Sequence, residues 1–136
     1  MAVTLNPYLN FRDGTRDVME FYSSVFGGEP TVSTFAESGG MGLDESEQQK
    51  VMHSQLVTEN GMTLMAADVP SSMDVSSNGT VSLSGDDEAT LRGYWDRLVD
   101  GGRATVPLEK APWGDTFGMC TDRFGVDWMV NILGGS

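Results

Sequence analysis

The chain is short of cysteine and histidine, the thiolate and imidazole donors that transition-metal sites and neutral-pH proton transfer draw on. Among its 136 residues there is one cysteine, Cys120, and one histidine, His53. A lone cysteine excludes an intrachain disulfide and any CxxC metal or redox motif, and it suits a reducing compartment, so a cytoplasmic protein is expected. Cys120 lies in the strand-like run Phe117-Gly118-Met119-Cys120-Thr121, where a small buried hydrophobe is the expected role. Positive charge is scarce too. Eight Lys and Arg against twenty Asp and Glu give a formal net charge of −12. Such a charge repels phosphate backbones and anionic bilayers, which argues against nucleic acid and membrane as partners. It is compatible with a cationic ligand or simply with a solvated acidic surface. No stretch approaches the ~18 continuous apolar residues of a membrane-spanning helix. The opening Met-Ala-Val-Thr-Leu-Asn has no basic region leading into an apolar run, so neither export nor membrane insertion is expected.

What is present is an internal echo. Gly27-Gly28-Glu29-Pro30-Thr31-Val32 returns as Gly101-Gly102-Arg103-Ala104-Thr105-Val106, each directly after an amphipathic helical run. Gly61-Met62-Thr63-Leu64-Met65 returns as Gly125-Val126-Asp127-Trp128-Met129. The two offsets differ because the first half carries an extra loop-like stretch, Glu37 to Lys50, rich in Gly, acid and Gln. Repetition at this scale predicts a structural duplication. Copies of about 60 to 70 residues are marginal alone, so they are expected to share one core. The expected organisation is one domain over 1–136: a first module to about 68, a linker over about 69–78, and a second module from about 79.

Within each module the pattern predicts one strand, one helix and three more strands. Val3 to Phe11 alternates, and Asp13 is a plausible cap for a helix over 14–26 carrying Val18, Phe21, Tyr22 and Val25. Strands are expected at 31–36, 51–58 and 62–67, the last two joined by the Glu59-Asn60-Gly61 turn. In the second half, 80–84 reads as a strand, and Asp86 or Asp87 caps a helix with Leu91, Tyr94, Trp95, Leu98 and Val99. Strands at 104–109, 116–121 and 126–133 complete it. This is an α+β fold whose helices cover one face of each sheet and leave the other for a concave surface.

Pro-Tyr-Leu-Asn-Phe at 7–11, Glu-Phe-Tyr-Ser-Ser-Val-Phe-Gly-Gly-Glu at 20–29, Trp-Gly-Asp at 113–115 and Thr-Asp-Arg-Phe-Gly-Val-Asp-Trp-Met-Val-Asn at 121–131, taken together, resemble the PhnB-like branch of the vicinal oxygen chelate superfamily. That superfamily includes glyoxalase I, extradiol dioxygenases and the fosfomycin and bleomycin resistance proteins. The resemblance implies two β-α-β-β-β modules, each curling a mixed, mostly antiparallel sheet into half a cup, with the helix on the outer face. It also implies a divalent metal held by His or Gln and Glu on the first and fourth strands of each module. The carried-over positions are Asn6, Met65, Thr80 and Met129. Amide, thioether and hydroxyl are poor ligands for such an ion, so no metal and no other cofactor is expected. The branch is often labelled as resembling a methyltransferase, but no glycine-rich loop follows a first parallel strand, and methyl transfer is discounted.

Period-two parity puts Tyr8, Asn10, Met65, Ser82, Asp127, Met129 and Asn131 on the cup side, and Leu5, Leu9, Leu64, Leu83, Trp128, Val130 and Ile132 on the helix side. His53 is added on chemistry, as the side chain whose ordinary pKa suits proton transfer near neutrality. It is otherwise a hydrogen-bonded strand histidine at an interface. Asp127 with Asn131 reads as an acid and its orienting amide, or as two solvated polar residues. Trp113, between Pro112 and Gly114, is a lid aromatic or a packed loop anchor. Met41 and Met73 sit in loops where thioethers can serve contacts. Catalytic roles, if chemistry occurs, fall to His53 and Asp127, and ligand contacts to Tyr8, Asn10, Met65, Ser82, Trp113, Met129 and Asn131. Three readings follow: metal-independent binding or turnover of a small organic molecule; sequestration of a bulky cationic drug; and a metal-dependent lyase or dioxygenase built on His53 with Asp127 or Asp68. Exposed sheet edges and the resemblance imply a homodimer.

Overall fold

The computed structural model describes residues 5–40, 42–75 and 78–134; Val3, Met41 and the chain ends lie outside them. The chain divides into two compact units between Asn78 and Gly79. Each has the order strand, helix, three strands.

In the first unit β1 (Tyr8–Phe11), α1 (Thr15–Phe26), β2 (Pro30–Thr34), β3 (Val51–Val57) and β4 (Thr63–Asp68) form a sheet in the order β1-β4-β3-β2. β1 runs parallel to β4, and the other pairings are antiparallel. The second unit repeats this with β5 (Thr80–Gly85), α2 (Glu88–Val99), β6 (Arg103–Lys110), β7 (Thr116–Thr121) and β8 (Asp127–Ile132), ordered β5-β8-β7-β6. The inserted stretch in the first unit holds two single 3-10 turns, Ala36–Ser38 and Glu45–Glu47.

Both glycine pairs of the echo have the same physical cause. After α1 the chain turns at Gly27 and Gly28, both at positive φ. A Cβ on Gly28 would stand 2.1 Å from the Val57 carbonyl oxygen. After α2 a Cβ on Gly102 would stand 2.2 Å from the Thr121 carbonyl oxygen. In each unit the exit from the helix crosses the end of the third strand too closely for any side chain.

The helices seat by different devices. Asp87 caps α2, accepting from the Thr90 amide at 3.1 Å and from its hydroxyl at 2.8 Å. α1 is not capped by Asp13. Its N-cap is Gly14, left-handed at φ 80°, and the carboxylate comes from Asp68 at the end of β4. One Asp68 oxygen accepts from the Thr15 amide (3.0 Å) and hydroxyl (2.7 Å), and the other from the Val51 amide (2.8 Å). Local sequence points to the adjacent acid; a carboxylate brought in by the sheet takes its place.

The helix-covered faces hold the cores. Val18, Met19, Tyr22, Val25 and Phe26 of α1 bury with Leu9, Leu56, Leu64 and Ala66. Leu91, Tyr94, Trp95 and Leu98 of α2 bury in the unit that holds Leu83, Cys120, Trp128, Val130 and Ile132. Leu5, expected in the core, is instead 99% exposed. Pairing begins only at Tyr8, so the alternation of β1 does not extend back to Leu5. Cys120 is buried against its register partner Trp128. Burial first, then Asp122 and Asp127, pushes its thiol up to about 11, which suits a packing role.

A second pair of equivalent positions closes the β3–β4 and β7–β8 turns. Thr58 accepts the Met62 amide at 3.0 Å. Asp122 accepts the amides of Phe124 (2.9 Å) and Val126 (3.1 Å) and the Trp128 indole N–H (2.9 Å).

Candidate functional site

On the uncovered face of the first sheet, Tyr8 stands beside Met65, and Met65 beside Gln55. His53 shares this face with Gln55, two residues away along β3 in regular register. Ser33 pairs with His53 but the next residue, Thr34, pairs with Val51, so β3 carries one extra residue, Met52. That bulge resets the period: Val51, Ser54 and Leu56 are buried while His53 and Gln55 stay partly open. The His53 Nδ1 and the Tyr8 hydroxyl lie 3.3 Å apart, with ring centroids at 5.8 Å. The imidazole tautomer decides which of the two donates. Partial burial raises the Tyr8 pKa, keeping the phenol protonated.

Next to Tyr8 is a hollow of about 420 Å³ lined by Tyr8, Asn10, Phe35, Leu43, Ala67, Asp68, Val69, Pro70 and Met73. Its walls are tied down. The Arg12 guanidinium donates to the carbonyls of Pro70 (2.7 Å) and Val69 (3.3 Å). The buried Glu47 carboxylate accepts from the Ser71 amide (3.1 Å) and hydroxyl, and pairs with Lys50 at 2.7 Å. The Asn78 side chain bridges the Asn10 backbone, accepting from its N–H at 2.7 Å and donating to its carbonyl at 3.1 Å. Residues 69–73 are therefore a wall of the first unit.

In the second unit Ser82, Met129 and Met119 stand side by side across β5, β8 and β7. Asn131 pairs with Phe117, and the Trp113 ring meets Phe117 edge-on at 5.6 Å while remaining 62% exposed. The Asn131 amide donates to Asp115 at 3.0 Å, and the Gly134 N–H donates to the other Asp115 oxygen at 2.8 Å. These bonds, that of Asn131 foremost, hold the Asp115 pKa below its usual value. Asn131 and Asp127 do not form the acid–amide pair: Asp127 takes the Thr121 hydroxyl at 2.7 Å. Asp127 borders a separate polar hollow of about 580 Å³ that also holds Arg103, Thr121 and Arg123.

The structure thus joins Tyr8 to His53 and Met65, Asn10 to the apolar hollow, Ser82 to Met129, and Trp113 to Asn131 through Phe117 and Asp115. Phe35, Leu43, Pro70, Asp115 and Phe117 escaped the parity argument, which reads only strands of known register. For Asp115 the Trp-Gly-Asp motif held a signal. A superfamily metal finds no fitting donors. Among the described residues no group of three or more His, Cys, Asp or Glu could hold an ion. Asn6, Met65, Thr80 and Met129 supply amide, thioether and hydroxyl, and both Asp68 oxygens are committed to Thr15 and Val51. No helix among the described residues is long and apolar enough to cross a membrane.

Comparison with known proteins agrees with this architecture. Protein PA1353 from Pseudomonas aeruginosa is 31% identical and superposes with a TM-score of 0.83, over 98% of this chain and 100% of that one. The PhnB protein from Bacillus cereus shares the fold at 22% identity, with a TM-score of 0.70 over 96% of this chain and 100% of that one. Protein YjdN from Escherichia coli K12 is 24% identical over 139 residues, covering 95% of each chain. The family model of the Glyoxalase/Bleomycin resistance protein/Dioxygenase superfamily matches residues 4–130, spanning both units, and the chain belongs to that superfamily.

Proposed function

We propose that this superfamily member binds a small organic molecule on the uncovered faces of its sheets and does so without the superfamily's metal. What supports the reading is that Asn6, Met65, Thr80 and Met129, the positions where the resemblance implies His, Gln and Glu, carry amide, thioether and hydroxyl groups instead. The same faces offer a phenol, amides, hydroxyls and adaptable thioethers, a lining suited to organic ligands. Tyr8, Asn10, Met65, Ser82, Trp113, Met129 and Asn131 are the proposed contacts. His53, bonded to Tyr8, is the proposed proton carrier if the ligand is transformed, and Asp127 has a weaker claim because it faces a different hollow. The site is proposed to work in the cytoplasm and in a homodimer, which light scattering at micromolar concentration tests: a strictly monomeric mass removes the dimer.

Native mass spectrometry of gently purified protein, run beside elemental analysis, tests the function itself. The expected result is a co-purifying organic mass and no stoichiometric transition metal. Near-stoichiometric Zn, Ni, Fe or Mn that disappears with His53→Ala overturns the reading.

A further inference from the structure

The hollow beside Tyr8 has a composition that narrows what can enter it. Phe35, Leu43, Pro70 and Met73 make an apolar wall, and at about 420 Å³ the space falls in the ~300–1,000 Å³ range of small-molecule sites. The one ionisable carboxylate in the lining is Asp68, 5% exposed, and both of its oxygens are occupied by the Thr15 amide and hydroxyl and the Val51 amide. The charges that hold the walls are turned to other work: Glu47 to Lys50 and Ser71, and Arg12 to backbone carbonyls. An anionic ligand group would enter beside the Asp68 carboxylate with no Lys or Arg in the lining to meet it, which is strongly unfavourable in an apolar setting. For an anion the protein's net charge of −12 adds a long-range penalty. Only the Tyr8 end is polar. There the phenol is steadied by His53 at 3.3 Å, and the Asn10 backbone is held by Asn78, leaving the Asn10 side chain to face the ligand.

We propose that this hollow receives the uncharged apolar end of the ligand, a ring or branched chain packed on Leu43, Pro70 and Met73, with a carbonyl or hydroxyl oxygen bonded at Tyr8 and Asn10. The inference rests on the reading of the protein as a small-molecule binder and adds the ligand's class: a neutral amphipathic molecule rather than an anion.

The test uses 6-propionyl-2-(dimethylamino)naphthalene, an uncharged aryl ketone whose emission moves to shorter wavelength on leaving water, against the anionic 1-anilinonaphthalene-8-sulfonate, both titrated with the full chain. The neutral probe should saturate at one per chain and bind at least about tenfold tighter than the sulfonate. Met73 is 59% exposed, so Met73→Glu should fold, by circular dichroism, yet weaken the neutral probe at least about tenfold, whereas Met73→Leu stays within about twofold. Tyr8→Phe should cost roughly two- to tenfold, one neutral hydrogen bond. If Met73→Glu does not fold, Leu43→Glu puts the same charge on another residue of the lining and is read instead. Equal or tighter binding of the sulfonate, no saturable binding of the ketone, or indifference to the introduced charge overturns the inference. Stoichiometric metal in the untreated protein defeats the metal-free reading instead and leaves these titrations to decide the hollow.

Discussion

Replacing Trp128 by alanine separates the two faces of the second sheet more sharply than any other single change. The indole is 1% exposed on the helix-covered face, beside Cys120. Its N–H donates to Asp122 at 2.9 Å. Deleting a buried aromatic side chain costs about 3–5 kcal/mol through lost burial and the cavity left behind. The Asp122 oxygen that loses its donor lies in a residue 3% exposed, and a hydrogen bond to a charged group is worth roughly 1.5–3 kcal/mol. The two effects share one side chain and do not add in full. Trp128→Phe isolates the second, keeping most of the volume and removing the donor, and should fall roughly 1.5–3 kcal/mol below the parent. The assay is urea unfolding followed by circular dichroism, with the midpoint compared at constant slope. At this chain length the alanine variant should also lose roughly 10–20 °C of midpoint temperature. Met129→Glu, one residue away on the uncovered face, should keep its midpoint within a few degrees while weakening ligand binding. If Trp128→Ala is thermally silent and Met129→Glu unfolds the protein, the faces are reversed and the proposed contacts fall with them.

Three further outcomes test other parts of the structure. Lys50, then Ser71, holds the Glu47 carboxylate down at about 2, below its ordinary 4.5; a depressed carboxylate contributes stability that is present above the unfolded value and lost as pH falls through the folded one. Glu47→Gln should therefore flatten the acid limb of the stability curve between about 4.5 and 2, and an unchanged limb refutes the stabilising role of the Glu47 contacts with Lys50 and Ser71. Gly28→Ala should destabilise by at least about 2 kcal/mol in urea, because a side chain there combines positive φ with collision against the Val57 carbonyl; a neutral result contradicts the turn geometry. Cys120 should react with a disulfide reagent only as fast as the protein opens, since its thiol is buried and held up at about 11; rapid stoichiometric labelling of the native protein would falsify that placement.

The duplication, the two helices and the separation of core from open face were legible in the chain because each rests on short-range periodicity or on a backbone demand that only glycine meets. Alternation along β8 puts Trp128, Val130 and Ile132 opposite Met129 and Asn131 whatever the neighbours are. The Gly-Gly pairs mark the helix exits because nothing larger passes the third strand. Where an outcome depended on groups distant in sequence, the local pattern pointed elsewhere. Asp13 stood in the right place to cap α1, yet Asp68 does so from the end of β4, because a fixed sheet delivers its carboxylate to Thr15 and Val51 at once. Leu5 alternated correctly but had no strand beside it to continue the pleat. The bulge at Met52 brings Val51 onto the buried face with Ser54 and Leu56 while His53 keeps phase with Gln55, and bulges leave no mark in hydrophobic alternation. The part of the hollow walled by Leu43 and Pro70 came from an irregular insertion and an expected linker, segments with no period to read. Their positions follow from hydrogen bonds such as Glu47 to Ser71 and Arg12 to Pro70, which exist only once the first unit has folded.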